Sequence, residues 1–289
     1  MEFLSPNTWP EALAAKSEHP AAVPLCGGTD VMVELNFDQH RPEVILDLTR
    51  IADLRRWDIG EHDVRLGSAV TYTEIIAELG EVLPGLAMAS RTVGSPQIRN
   101  RGTVGGNLGA ASPAGDSHPP LLATGARVEV ESVRGSRQIQ IADFYTGVKR
   151  NALEPDELIC AIVVPRADGP EQFCKIGTRN AMVISVVAFG LALHPTTRTV
   201  GTGIGSAATT PLRATDAGRF LAEALEADGL WDSREELGQS LATEFGERVK
   251  AAAAPIDDVR GTAAYRMHSL SVMARRAATW AWNDYRKAA

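Results

Sequence analysis

Residues 93–116 limit what this chain can fold into more than any other stretch. They begin Val93-Gly94-Ser95-Pro96-Gln97-Ile98-Arg99-Asn100-Arg101-Gly102-Thr103-Val104-Gly105-Gly106-Asn107-Leu108-Gly109 and run on through Ala111-Ser112-Pro113-Ala114-Gly115-Asp116. Residues this small build no core, but they let main-chain N–H groups approach another molecule closely. A shorter stretch of the same character, Leu25-Cys26-Gly27-Gly28-Thr29-Asp30, lies upstream. Two Gly-Gly loops far apart in sequence, each carrying a hydroxyl or a carboxylate, point to two walls of one site for an anionic ligand.

The rest of the composition narrows the class. With 289 residues, 44% hydrophobic and 22% charged, the chain has the make-up of a soluble globular protein, and its length favours two domains. A formal net charge of −7 argues against a nucleic-acid partner, which calls for a basic face. The longest apolar run, 182–193, is broken by Ser185 and Gly190 and is too short for a membrane span. The first residues lack the basic and apolar regions of a signal peptide, so the expected location is cytoplasmic. Cys26, Cys160 and Cys174 form no CxxC and no Cys/His cluster, so no metal ligands are assigned.

Local signals lay out the elements. Thr8-Trp9-Pro10-Glu11 reads as the capped start of a helix, and 23–26 as a strand entering Gly27-Gly28, after which Thr29 is placed to cap a short helix. Residues 43–48 alternate as a strand, 54–59 and 64–68 form a hairpin, and Thr71-Tyr72-Thr73-Glu74 is a capping-box pattern. A helix over 83–92 leads into the glycine stretch, and 116–123 is helical. Strands follow at 126–131, 138–141, 158–164 and 173–177. An antiparallel pair at 186–193 and 199–205 precedes helices at 212–224, 235–249 and 263–286. Trp280 and Trp282 are read as core. Asp168-Gly169-Pro170 marks the expected domain boundary.

Common nucleotide patterns are missing. No G-x-G-x-x-G joins a strand to a helix, and Gly201-Thr202-Gly203-Ile204-Gly205 has the wrong spacing and reads as a glycine-rich strand. There is no Walker lysine motif, no nucleophile elbow and no paired acids, so no catalytic residue is assigned. What remains is the pair of loops. Thr29 and Thr103 offer hydroxyls, Asn107 an amide, Asp116 an acceptor for ribose hydroxyls, and the main chain a nest for a diphosphate without any lysine in either loop.

Gly27-Gly28-Thr29-Asp30, Gln97-Ile98-Arg99-Asn100-Arg101-Gly102-Thr103-Val104-Gly105-Gly106-Asn107-Leu108 and Ser112-Pro113-Ala114-Gly115-Asp116 together resemble the FAD-binding medium subunit of the xanthine dehydrogenase and carbon monoxide dehydrogenase family of molybdenum hydroxylases. Glu154-Pro155-Asp156-Glu157-Leu158-Ile159 and Lys175-Ile176-Gly177 extend the likeness over nearly the whole chain. The resemblance implies an α+β chain. Its first part, 1–170, would be a vanillyl-alcohol-oxidase (PCMH)-type FAD-binding fold of two subdomains, about 1–55 and 56–170. A C-terminal α+β flavoprotein domain over 171–289 would resemble that of CO dehydrogenase.

It also implies the cofactor, FAD, and the residues that hold it. Leu25, Cys26, Gly27, Gly28, Thr29, Asp30 and Val31 would wrap the diphosphate from one side. Thr103, Val104, Gly105, Gly106 and Asn107 would meet it from the other and line the isoalloxazine, and Val93 is a further cofactor-binding residue. Asp116 would hold the ribose or adenine side, with Ile159 and Lys175 completing the set, the ammonium near the pyrimidine end of the flavin. The implied role is an FAD-dependent oxidoreductase subunit that accepts electrons from a 2Fe-2S small subunit, itself fed by a molybdopterin-binding large subunit, and passes them to NAD or dioxygen. A stand-alone FAD oxidoreductase of the same fold and an FAD-less assembly module are the alternative readings.

Overall fold

The computed structural model describes residues 1–288. The chain opens with a small parallel sheet of order β1-β3-β2, built from β1 (Glu2–Leu4), β2 (Val23–Leu25) and β3 (Val44–Asp47). Helix α1 (Trp9–Glu18) crosses from β1 to β2, and Thr8 caps it as the sequence predicts, in a full capping box with Glu11. Thr8 Oγ1 accepts from Glu11 N–H, and Glu11 Oε2 accepts in return from Asn7 and Thr8 N–H. The helix buries Ala12 and Leu13 against Leu46, Leu48, Ile51 and Leu54.

After β2 the expected cap is not made by Thr29. Helix α2 (Val31–Asn36) has Asp30 as its N-cap residue, with helical backbone angles and no side-chain bond. A capping oxygen reaches back only from an extended backbone, which Asp30 lacks. No residue of α2 is buried, and Met32, Val33 and Phe37 are exposed.

A five-stranded antiparallel sheet of order β4-β5-β10-β6-β7 follows. Its strands are β4 (Trp57–Ile59), β5 (Asp63–Gly67), β6 (Arg127–Ser132), β7 (Gly135–Gln140) and β10 (Leu158–Pro165). Alternation along β6 sends Val128 and Val130 inward to meet Leu66, Ile162 and Val164. Helices α3 (Tyr72–Glu78), α4 (Pro84–Thr92), α5 (Pro96–Arg99), α6 (Val104–Ala110) and α7 (His118–Thr124) lie between β5 and β6 in sequence. Ile75, Leu79, Leu86, Val104, Leu108, Leu121 and Leu122 fill the core beneath them. Helix α8 (Ile141–Phe144) and the two-stranded ribbon of β8 (Tyr145–Gly147) and β9 (Arg150–Asn151) close this part.

The last part is an antiparallel sheet of order β11-β12-β13, from β11 (Glu171–Gly177), β12 (Ser185–His194) and β13 (Thr199–Gly205). Helices α9 (Thr215–Ala227), α10 (Leu230–Ser233), α11 (Gln239–Ala251) and α12 (Ala263–Lys287) pack on it. Trp282 is 1% exposed, as expected, but Trp280 is 47% exposed. Two residues along a helix turn a side chain about 200° away, so both cannot face one core.

The glycine-rich strand reading of 201–205 holds, and its cause is tertiary. Helix α7 crosses β13 so closely that a methyl at Gly201 would lie 1.8 Å from the Ala123 carbonyl oxygen, and one at Gly203 would lie 2.0 Å from that of Pro119. These glycines accept a helix, not a nucleotide.

Candidate functional site

The two Gly-Gly stretches meet. A methyl at Gly27 would lie 2.1 Å from the Arg101 carbonyl oxygen, so the turn after β2 rests directly on main chain just before α6. That main chain is held in turn by α3: Tyr72 N–H donates to the Gly102 carbonyl (3.1 Å), and Thr71 bridges to Thr103.

Residues 103–107, read from sequence as a loop, form the first turn of α6. Thr103 is its N-cap, with Oγ1 accepting from Gly106 N–H at 2.9 Å and its carbonyl from Asn107 N–H at 3.0 Å. Gly-Gly has poor helix propensity, but a true cap and the burial of Val104 and Leu108 override it. Gly106 is exposed. The one atom close to a methyl placed there is the Thr103 hydroxyl, at 3.0 Å. The Thr103 hydroxyl also faces Cys26, whose thiol burial pushes up to about 11 and keeps protonated.

Between the two stretches runs a crevice lined by Cys26, Gly27, Thr49, Arg55, Asn100, Arg101 and Thr103. Arg55 and Arg101 also line this crevice, and the Arg55 charge is close enough to act on the Cys26 thiol; sequence reasoning singled out neither side chain.

Asp116 and Lys175, expected at different parts of the cofactor, instead meet each other. Lys175 Nζ lies 2.5 Å from Asp116 Oδ2 and donates to the Thr92 carbonyl at 3.2 Å, while Thr92 Oγ1 donates to Asp116 Oδ2 at 3.3 Å. Both side chains are only 8% exposed. Burial pushes the Asp116 carboxyl up from the usual carboxylate range, opposed by the Lys175 ammonium. The ammonium is therefore paired with a carboxylate of this chain. At the other end of α4, Glu171 Oε2 accepts from Gly85 N–H at 2.7 Å, and burial raises its carboxyl to about 7.

The remaining expected residues fall around these two centres. The Val93 carbonyl is turned inward to accept from Arg99 Nη1 at 3.1 Å. Ile159 sits at a register shift in β10, its side chain beside Gly109 at the end of α6. Leu25, Gly28, Thr29 and Val31 frame the turn into α2, with Met32 N–H donating to the Gly28 carbonyl at 3.0 Å. Two buried acceptors in this region, Asn107 Oδ1 and Asp116 Oδ1, have no hydrogen-bond partner. His118 and Tyr145, which carry no motif, were missed altogether, yet they lie directly behind Asn107.

Comparison with known proteins identifies the family. The family described as "FAD binding domain in molybdopterin dehydrogenase" matches residues 1–167, and that described as "CO dehydrogenase flavoprotein C-terminal domain" matches 172–281. The chain belongs to this family of FAD-binding oxidoreductase subunits. It is 35% identical over 201 residues to the nicotinate dehydrogenase FAD-subunit of Eubacterium barkeri, covering 66% of this chain and 68% of that one. It is 31% identical over 281 residues to the xanthine dehydrogenase FAD-binding subunit of Escherichia coli O157:H7, covering 93% and 91%. Among solved structures, reconstituted CO dehydrogenase from Oligotropha carboxidovorans superposes with a TM-score of 0.85 at 27% identity, covering 98% of each chain.

The residues present fit FAD. The buried Asp116 Oδ1, without a partner among the described residues, suits a hydroxyl donor, and the exposed Gly106 turn beside the crevice that Arg55 and Arg101 line suits a diphosphate.

Proposed function

We propose that this chain is the flavin-bearing electron-transfer subunit of a molybdenum hydroxylase complex, taking electrons from a 2Fe-2S subunit fed by a molybdopterin-binding subunit and passing them to NAD or dioxygen. FAD, when bound, supplies the redox chemistry. The protein's own part is to bind, orient and shield it. The observation that carries this reading is the contact of Gly27 with the Arg101 carbonyl, which makes one cleft of two stretches more than seventy residues apart.

In this reading Leu25, Cys26, Gly27, Gly28, Thr29, Asp30 and Val31 hold the diphosphate from one wall, and Thr103, Val104, Gly105, Gly106 and Asn107 hold it from the other. Val93 and Ile159 line the cleft, and the free oxygen of Asp116 accepts from a cofactor hydroxyl while Lys175 holds its other oxygen in place. The chain divides at Asp168-Gly169-Pro170, with 1–170 as the cofactor domain in two parts and 171–289 as the second domain.

The test uses the full chain with added FAD. Oxidised-flavin absorbance should be retained after gel filtration by the wild type and lost in Gly106→Trp. A folded wild type that stays colourless overturns the reading. Co-expression with its neighbouring reading frames should give a complex containing molybdenum and iron. NAD and dioxygen are told apart by which of them reoxidises the reduced complex.

A further inference from the structure

Behind Asn107 lies a buried polar pair that the cofactor reading does not use. His118 is fully buried at the start of α7, and Tyr145, also buried, begins β8. Tyr145 Oη lies 2.7 Å from His118 Nδ1, with the rings in a tilted edge contact 4.8 Å apart. Burial depresses the imidazole to about 3 and raises the phenol, so His118 is neutral and Tyr145 keeps its proton. That phenol has no other acceptor among the described residues, so it donates to Nδ1, and the single imidazole proton then sits on Nε2.

Among the described residues His118 Nε2 is thus a buried donor, and Asn107 Oδ1 a buried acceptor, that complete no hydrogen bond of good geometry, although the Ser112 carbonyl also faces the imidazole and partly opposes the effect of burial. Nε2 and Oδ1 lie together on the side of Gly115 where a Cβ would stand. A methyl there would lie 2.3 Å from Nε2 and 2.7 Å from Oδ1, so the atoms are no further apart than those two distances laid end to end. The two atoms are not directly bonded in this structure, and one water or a small turn of the Asn107 carboxamide spans such a separation. Only glycine leaves the gap open.

We propose that Tyr145 and His118 form a relay through Gly115 that orients the Asn107 carboxamide, and that His118 is a positioning residue of the cofactor site. With its oxygen drawn inward to Nε2–H, Asn107 presents its NH₂ group outward as a donor to a carbonyl or phosphate acceptor of the ligand. Tyr145 fixes the tautomer, His118 passes the orientation on, and Gly115 gives the two room to meet. The proposal rests on FAD as the ligand of this site.

The test is a double-mutant cycle on the full chain, read by FAD titration. Wild-type binding is measured first, and its absence overturns the reading of the site rather than the relay. His118→Phe should then weaken FAD binding about tenfold, the effect of one misdirected hydrogen bond. In an Asn107→Ala background it should change nothing further. His118→Gln, whose amide donor reaches the place of Nε2, should bind within about twofold of wild type. Equal losses from His118→Phe with and without Asn107, or no loss at all, overturn the relay, because a purely structural role would act independently of Asn107. If His118→Phe does not fold, the same cycle is run with Tyr145→Phe, which should couple to Asn107 in the same direction, and additive effects overturn the proposal.

Discussion

Glu171 and Lys175, four residues apart on β11, bind opposite ends of the same helix. The Glu171 carboxylate accepts from Gly85 N–H at the start of α4, and the Lys175 ammonium donates to the Thr92 carbonyl at its end. Residues i and i+4 of a strand share a face and span roughly 13 Å, about the length of a nine-residue helix. The anion lies at the positive end of the helix dipole and the cation at the negative end. This matching sets the register between the cofactor part of the chain and the C-terminal sheet, and it delivers Lys175 to Asp116.

Glu171 makes stability depend on pH in a defined direction. Its folded value of about 7 lies above the ordinary 4.5, so the folded state holds this proton more tightly than the unfolded one. The stability it confers is complete below about pH 4.5 and declines as pH rises through 7, by about 3 kcal/mol in total. Glu171→Gln keeps an acceptor for Gly85 but does not titrate. The fall in urea-unfolding free energy between pH 5 and pH 8 should therefore be smaller in the variant by about that amount. An equally steep profile in both proteins rules this role out.

The Lys175–Asp116 pair should show the asymmetry of buried ion pairs. Lys175→Met leaves the Asp116 carboxyl buried beside Thr92 alone and should cost about 3–5 kcal/mol. Adding Asp116→Leu should recover most of that loss. Chemical denaturation of the two single variants and the double gives the coupling directly, and strictly additive losses would show that the pair does not act as a unit.

Two glycines of the site should respond in opposite directions to alanine. Gly27→Ala drives a methyl against the Arg101 carbonyl and should destabilise the chain by about 1–3 kcal/mol while weakening FAD binding. At Gly109, inside α6, the nearest atom to a new methyl is Ile159 Cδ1 at 3.9 Å. Gly109→Ala should stabilise the FAD-free chain by about 0.5–1 kcal/mol through helix propensity. Thermal denaturation without cofactor distinguishes the two.

Gly203→Ala tests the approach of α7 to β13. The new methyl would meet the Pro119 carbonyl, and neither main-chain segment has room to withdraw. A loss of about 3 kcal/mol is expected, with near-ultraviolet circular dichroism changing before far-ultraviolet.

The features legible in the sequence were those fixed by neighbours in the chain. Thr8 and Thr71 announced their helices because a cap and its N3 partner lie within four consecutive residues. The antiparallel pairing of β12 with β13 was legible because the two segments are neighbours in the chain, joined by a short turn. Features set by distant partners were not legible. Asp116 and Lys175 are 59 residues apart and no local pattern marks them as a pair. Thr29 looked like a cap, but the turn at Gly28 passes that role to Asp30, which cannot perform it. Residues 103–107 looked like loop because glycine propensity is local, whereas the burial of Val104 and Leu108 is not. His118 is silent in sequence, a single histidine before two prolines, and only the fold sets it against Tyr145.

The contact of α7 with the C-terminal sheet has a mechanical consequence. At Gly201 and Gly203 the helix touches strand main chain with no side chain between them, and Gly190 on β12 meets Pro119 in the same way. Ordinary interfaces absorb small shifts by changing rotamers, but here there are no rotamers to change. The sheet therefore acts as a fixed datum for the segment that carries Asp116 and His118. A displacement of the sheet reaches the cofactor cleft undamped.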